Sequence, residues 1–155
     1  MKSINYNNIK IQDLENIAKE IVSKIFESKK ESFVIYLEGD MGAGKTTLAQ
    51  NIGKSLGVTD HMQSPTFTLM REYDLLSEIN FESNTYKNNY KKLIHIDAYR
   101  FENKKEGQVL KLEENKIDNI ALIEWQSNMY APDADMIINI EKIDDDTRNI
   151  KVEIN

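Results

Sequence analysis

The 155-residue sequence predicts an α/β fold: one domain over residues 1–155, with a central, mostly parallel sheet, antiparallel closing strands and flanking helices. Three features predict this class. An apolar strand is followed directly by a glycine-rich turn and an amphipathic helix. Two further apolar strands each end at a carboxylate. The last part of the chain contains two β-prone segments separated by three consecutive aspartates. Ligands of open α/β sheets bind at the carboxyl ends of strands, so we expect one site at that edge.

The first half of the chain predicts two helices around one strand. Apolar residues recur at spacings of three and four, which indicates a helix from Asp13 to Ser28. They are Ile11, Leu14, Ala18, Ile21 and Ile25. Phe33–Leu37 is continuously apolar, as is typical of a buried strand. The turn Gly39–Gly44 follows, and then a second helix that ends at Gly57.

The middle of the chain is less regular. Thr66–Tyr73 is β-prone, whereas Asp74–Lys92 is polar and asparagine-rich and predicts a long loop or an extended hairpin. This segment places basic and aromatic residues together: Tyr86, Lys87, Tyr90, Lys91 and Lys92. Such a patch would contact nucleic acid or a partner, but a solvated hairpin is the favoured interpretation.

Four further strands are expected towards the end of the chain. Leu93–Ile96 precedes Asp97, and Ile120–Ile123 precedes Glu124. The closing strands are Met136–Ile140 and Ile150–Ile154, and the three aspartates between them, residues 144–146, suit a hairpin turn.

Composition excludes several classes of function. Twenty basic and 26 acidic residues leave a net charge of −6, which is unfavourable for direct binding of nucleic acid. The absence of cysteine excludes thiol catalysis, disulfides and thiolate zinc sites, and two histidines are too few for a histidine-rich metal site. No apolar run is long enough for a membrane span, and residues 1–5 lack the apolar core of a signal peptide. We therefore expect a cytoplasmic protein with no membrane partner.

The glycine-rich turn carries the strongest motif. Its eight residues match G-x-x-x-x-G-K-[ST] at every defined position: Gly39, Asp40, Met41, Gly42, Ala43, Gly44, Lys45 and Thr46. Glycines let successive backbone N–H groups face phosphate oxygens, and the following helix adds its positive N-terminus. Lys45 would bind the β- and γ-phosphates, and the Thr46 hydroxyl is suited to Mg²⁺. These features predict a P-loop NTPase in which Thr47 also lies at the nucleotide.

Asp97 and Glu124 are the candidate carboxylates of this site. Each follows an apolar strand, at the edge where the P-loop is expected. A P-loop enzyme needs such a group to position Mg²⁺ or to orient water. The spacing does not assign which of the two handles the water.

A small-molecule kinase and a GTPase-like switch are the alternatives. Kinases grip anionic substrates with several arginines, but this chain has only Arg71, Arg100 and Arg148. Residues 115–118 match N-K-x-D, the guanine-binding motif of G proteins, but asparagine and lysine are common here and the motif precedes its strand instead of following one.

Beyond the P-loop, several motifs resemble the TsaE family, small bacterial P-loop ATPases of tRNA threonylcarbamoyladenosine synthesis. The resemblance rests on Ser64–Leu69, on His95–Arg100 and on Ile123–Trp125, in the family's order. Leu110–Glu114 and Arg148 extend it over nearly the whole chain.

The resemblance implies roles for individual residues. Lys45 and Thr46 would hold phosphates and Mg²⁺, Glu124 would be the second protein contact to Mg²⁺, and Asp97 would orient or activate water. Thr66 would lie in a switch-like segment that senses the γ-phosphate.

Three further roles stay open. Trp125 covers the nucleotide or a partner, or else completes the core. Tyr99–Arg100 serves a partner or catalysis, or packs at the sheet edge. Arg148 contacts the nucleotide or is a surface arginine.

The resemblance also implies a biological role. Family members bind ATP and Mg²⁺, act on a TsaB–TsaD complex and support its turnover, so that adenosine 37 is modified in tRNAs reading codons that begin with A. Such a protein would be a weak ATP hydrolase alone and would meet tRNA only through the complex. The chain departs from the family at Gln126, where proline is usual, at Leu14, where threonine is common, and in the length of segment 74–92.

Overall fold

A computed structural model describes residues 1–81 and 83–155. Its helices are α1 (Leu14–Ser28), α2 (Lys45–Ser55) and the one-turn α3 (Leu112–Asn115). Its strands are β1 (Lys2–Lys10), β2 (Phe33–Glu38), β3 (Met70–Asp74), β4 (Glu78–Phe81), β5 (Asn84–Lys87), β6 (Lys92–Asp97), β7 (Ile120–Glu124), β8 (Met136–Lys142) and β9 (Thr147–Ile154).

Seven strands form one sheet in the order β1-β9-β8-β2-β7-β6-β3. The four central strands, β8, β2, β7 and β6, run parallel to one another. Antiparallel strands close both edges, β3 on one side and β9 with β1 on the other. The predicted fold class is therefore confirmed, and the carboxyl ends of β2, β6 and β7 meet at one edge of the sheet.

The sheet buries apolar side chains on both faces. Helices α1 and α2 cover one face, and α1 buries the predicted stripe from Leu14 to Ile25. Ile11, the first residue of that stripe, lies in a 3₁₀ turn before the helix and is exposed. The other face is covered by irregular chain, which contributes Phe101 and Met129 to a second cluster. Within residues 1–81 and 83–155, no helix has the length and apolar character needed to cross a membrane.

Two segments differ from the sequence prediction. Lys2–Lys10 is an edge strand paired antiparallel with β9, although no strand was expected there. Its side chains are largely exposed and rich in asparagine and lysine, which are poor strand formers. The β-prone segment Thr66–Tyr73 becomes a strand only at Met70. Before it the chain turns, with the Leu69 N–H donating to the Pro65 carbonyl oxygen at 2.6 Å.

The segment 74–92 contains the extended hairpin that was one of its two predicted forms; residue 82 lies outside the described residues. Strands β4 and β5 pair with each other in a separate two-stranded sheet. The Tyr86 ring stacks on Phe26 with 5.5 Å between ring centroids, and Tyr90 is buried. Because these rings pack inward, the hypothesis of a basic and aromatic nucleic-acid patch is not supported.

Candidate functional site

The P-loop joins the carboxyl end of β2 to the first turn of α2. Gly39, Gly42 and Gly44 have φ values of 149°, 78° and 110°, a region that favours glycine. Helix α2 begins at Lys45, immediately after the loop. The unpaired N–H groups of the first helical turn and the positive end of the helix therefore face the mouth of the loop.

The Lys45 ammonium group lies inside this loop. Its side chain is buried and donates hydrogen bonds to the carbonyl oxygens of Gly39 and, at 3.2 Å, Asp40. Nζ also lies 4.6 Å from the centre of the Trp125 ring, within range of a cation–π contact. Lys45 is thus held at the point where phosphate groups would enter.

A cavity of about 400 Å³ opens beside the loop, a size typical of small-ligand sites. Most of the predicted site residues line it: Asp40, Met41, Gly42, Gly44, Lys45, Thr46, Thr47, Thr66, Asp97, Glu124 and Arg148. Gly39 instead borders an adjoining pocket, and the Ala43 side chain is buried. The topology therefore brings these residues together from five separate chain segments around one cavity.

The two carboxylates are register partners at the ends of β6 and β7. Asp97 accepts hydrogen bonds at both oxygens: Oδ2 from the Thr66 hydroxyl at 2.9 Å, and Oδ1 from the Tyr99 backbone N–H at 2.9 Å. The Thr66 hydroxyl also lies 2.7 Å from the Ser64 hydroxyl. Asp97 therefore anchors the segment that contains Thr66 to the sheet edge.

Glu124 has a different environment. It is 2% exposed, and its Oε2 lies 3.0 Å from Nε2 of His95, which is also buried. Its other oxygen, Oε1, takes no part in this contact. Sequence reasoning missed His95 as a site residue, although it stands two positions before Asp97 and therefore on the same face of the strand.

Arg148 is buried, so it is not the surface arginine that was one of its two predicted forms. Nε donates to the Ala43 carbonyl oxygen at 2.6 Å, and Nη1 donates to the carbonyl oxygens of Asp144 at 2.6 Å and Thr147 at 3.0 Å. A charged donor on a buried backbone carbonyl is among the stronger hydrogen bonds. Arg148 on β9 thus stabilises the P-loop through its hydrogen bond to Ala43. Contact between Arg148 and a nucleotide remains a prediction.

The turn after β7 shapes the same edge. Trp125 has a left-handed backbone with φ of 58°, and a short 3₁₀ turn, Gln126–Asn128, follows. The Gln126 amide donates to Glu38 Oε1 at 2.6 Å. This bond ties the turn to the end of β2 at the position where the family usually has proline. The Trp125 ring lies 5.1 Å from Tyr99 between ring centroids, and both rings line the cavity.

The donor set fits Mg²⁺ only when phosphate oxygens complete the coordination. Thr46 and Glu124, the two predicted metal ligands, line the same cavity. Over residues 1–81 and 83–155, no group of three or more histidine, cysteine or acidic side chains could hold a metal ion. Mg²⁺ commonly binds through one or two protein oxygens together with water and substrate phosphates, and these residues suit that arrangement.

A substitution at Gly39 is expected to damage the loop. A Cβ atom there would lie 2.4 Å from the Ile140 carbonyl oxygen, whereas one at Gly42 would meet no atom within 4 Å. The backbone of an L-residue would be strained at either position, but only at Gly39 would the added Cβ atom also clash with the backbone. Gly39→Ala should lower the free energy of unfolding by about 3 kcal/mol, and Gly42→Ala by about 1 kcal/mol, in urea titrations. Equal losses would contradict this packing.

Comparisons with known proteins agree with the resemblance. The family model described as "Threonylcarbamoyl adenosine biosynthesis protein TsaE" matches residues 10–150. The chain belongs to the TsaE family.

Individual relatives support the family assignment. The Haemophilus influenzae protein named tRNA threonylcarbamoyladenosine biosynthesis protein TsaE is 33% identical over 136 residues, 86% of this chain and 76% of its own. The Bacillus subtilis protein of the same name is 31% identical over 153 residues, 97% of this chain and 85% of its own. A crystal structure of Bacillus subtilis YdiB superposes with a TM-score of 0.65 and 25% identity, covering 99% of this chain and 87% of that one.

Proposed function

We propose that this TsaE family member is a Mg²⁺-dependent ATP-binding protein and ATP hydrolase that supports threonylcarbamoyladenosine modification of tRNA. One observation carries the proposal: the P-loop lysine, the Thr46 hydroxyl and the two strand-end carboxylates line one cavity. A phosphate cradle beside hard oxygen ligands suits a magnesium nucleotide. Family membership supports the biological role, because the relatives carry the name of that pathway.

Each residue would have a distinct task. Lys45 would exchange its carbonyl partners for phosphate oxygens, and the first N–H groups of α2 would bind the same anion. Thr46 and Glu124 would hold Mg²⁺, which neutralises charge that develops on the phosphates. Asp97 would orient the attacking water together with Thr66. Because the Thr66 hydroxyl bonds to Asp97, movement of either group on nucleotide binding would shift the other.

The base would lie beside the start of α1. Ile11 and Leu14 line the cavity together with the loop residue Met41. Their side chains offer apolar contact to a purine ring, which the sequence alone did not assign. The N-K-x-D segment, residues 115–118, is absent from this lining, and Asp118 is paired instead with Lys91 at 3.3 Å. The cavity lining therefore lacks the N-K-x-D contact to guanine, which supports ATP over GTP as the proposed nucleotide.

The arginines do not support the kinase alternative. Arg148 is bound to backbone carbonyls, and Arg100 lies over the Phe67 ring at 5.3 Å. Of the three arginines, Arg148 alone borders the cavity. A second anionic substrate would therefore meet no cluster of guanidinium groups within the described residues.

The partner would be a TsaB–TsaD complex, and tRNA would be reached through it. The net charge of −6 disfavours independent binding to tRNA, and the aromatic residues of the hairpin pack inward. This protein would then act as a nucleotide-dependent subunit that supports turnover of the complex.

Complementation tests this role directly. Cells depleted of their own TsaE would receive this chain, and nucleoside analysis would measure threonylcarbamoyladenosine in their tRNA. We expect the unmodified chain to restore it and Lys45→Ala to fail. Failure of the unmodified chain in cells that also express TsaB and TsaD of the same source, or full restoration by Lys45→Ala, would contradict the proposal.

A further inference from the structure

His95 is a buried polar residue to which the proposed mechanism gives no task. It lies on β6 with 1% of its surface exposed, and its hydrogen bond joins Nε2 to Glu124 Oε2 at 3.0 Å. Its neighbours along the strand, Ile94 and Ile96, are fully buried and apolar. A polar pair in such a setting costs desolvation, and apolar residues of similar size would often be at least as stable there. This pair lies beside the candidate site, because the Glu124 carboxylate lines the cavity.

The ring nitrogens define the hydrogen-bond pattern. A carboxylate only accepts, so the proton of this contact belongs to Nε2. Nδ1 is buried and has no hydrogen-bond partner among residues 1–81 and 83–155. If Nδ1 carries no proton, one lone pair lacks a hydrogen-bond partner. If Nδ1 is also protonated, the ring is charged and its N–H group lacks an acceptor, which costs more free energy in a buried site. The arrangement therefore favours the Nε2–H tautomer.

Arg71 lies beside His95, on the edge strand β3. It stands opposite His95 in the register of β3 and β6, so both side chains project from the same face of the sheet. Its Nε is the other buried side-chain atom without a partner in the described part of the chain. These two atoms are not hydrogen-bonded to each other. Arg71, His95 and Glu124 place three polar side chains on one face of β3, β6 and β7.

We propose that His95 is a positioning residue that holds Glu124 by Oε2 and keeps Oε1 available to the cavity for Mg²⁺. This inference rests on the proposed function, because it gives Glu124 a metal-binding role. Groups that orient a metal ligand commonly change metal affinity by tenfold or more when they are removed.

Two substitutions separate orientation from packing. His95→Gln places an amide donor near the position of Nε2, whereas the shorter side chain in His95→Asn reaches only about as far as Nδ1. His61→Asn is the matched control, because His61 is the other histidine of the chain and is exposed. Calorimetry would measure ATP affinity with Mg²⁺ and again with EDTA, and thermal melting would confirm that each variant is folded.

We expect His95→Asn to lose about tenfold in ATP affinity with Mg²⁺ and to match the unmodified chain in EDTA. His95→Gln should stay within about threefold of the unmodified chain under both conditions. Unchanged affinity of His95→Asn with Mg²⁺ would overturn the inference. Equal losses with Mg²⁺ and with EDTA would also overturn it, since they indicate a purely structural role. If the unmodified chain binds no ATP with Mg²⁺, the proposed function itself fails and this inference with it.

Nitrogen NMR gives a readout that needs no nucleotide. With only two histidines, ¹⁵N-labelled rings can be assigned by comparison with His61→Asn. We expect a protonated Nε2 and an unprotonated Nδ1 at His95, and a shift of the Nε2 signal in Glu124→Gln. A ring protonated at Nδ1 alone, or one indifferent to Glu124→Gln, would contradict the contact on which the inference depends.

Discussion

Lys45→Ala is expected to lower ATP affinity by about 100-fold, or close to 3 kcal/mol. The side chain is buried at the start of α2, and its ammonium group is surrounded by the Gly39 and Asp40 carbonyl oxygens and the Trp125 ring. These contacts direct the charge into the loop, where it would meet the β- and γ-phosphates. Alanine removes that charge and its hydrogen bonds, each of which is strong because it is charge-assisted. Calorimetric titration with ATP and Mg²⁺ measures the loss.

Lys54→Ala is the matched control for this result. Lys54 lies on the same helix, but its side chain is 71% exposed and pairs at 3.7 Å with Glu15 on the surface. Both substitutions remove one positive charge from α2, so only the position differs. ATP affinity should stay within about twofold for Lys54→Ala, because a surface ion pair contributes little. Equal affinities in the two variants would show that the loop is not the phosphate site.

Glu124→Gln should lower the rate of ATP hydrolysis by about 100-fold and reduce its dependence on Mg²⁺. The amide is nearly isosteric with the carboxylate, and its oxygen can still accept from His95, so the core is preserved. The lost charge removes the hard anionic ligand that Mg²⁺ prefers. Phosphate release measured across a Mg²⁺ titration gives both quantities, and ATP affinity in EDTA should be unchanged.

Glu38→Gln provides the comparison at the same sheet edge. Glu38 ends β2 and accepts from Gln126 at 2.6 Å, but it borders the adjoining pocket and not the cavity lined by Thr46 and Glu124. Its loss should leave the Mg²⁺ dependence of hydrolysis unaltered. If Glu124→Gln and the unmodified chain require the same Mg²⁺ concentration, Glu124 has no role at the metal.

Much of the fold is predictable because its signals are local. The strand Phe33–Leu37 is a continuous apolar run buried on both faces of the sheet, and the stripe of α1 buries one face of that helix. Both were predicted within a residue or two. The strand Lys2–Lys10 gives no such signal, because an exposed edge strand gains its hydrogen bonds from β9, about 140 residues away. The turn before Met70 likewise overrides the β-prone composition of Thr66–Thr68.

In the candidate site, too, local features are predictable from the sequence and long-range contacts are not. The P-loop is contiguous, so its motif alone predicts its residues. The contacts of His95 with Glu124 and of Arg148 with Ala43 join positions 29 and 105 residues apart, and no local pattern specifies them. Only the family resemblance drew attention to Arg148. Its burial against the loop carbonyl follows from the pairing of β8 with β9.

Phosphate release from ATP and from GTP, with Mg²⁺ and with or without purified TsaB–TsaD and tRNA, tests the central proposal most directly. We predict slow turnover of ATP by the protein alone, little turnover of GTP, and a change in the rate of ATP turnover when the complex is added. Turnover that is indifferent to the complex, or selective for GTP, would contradict it.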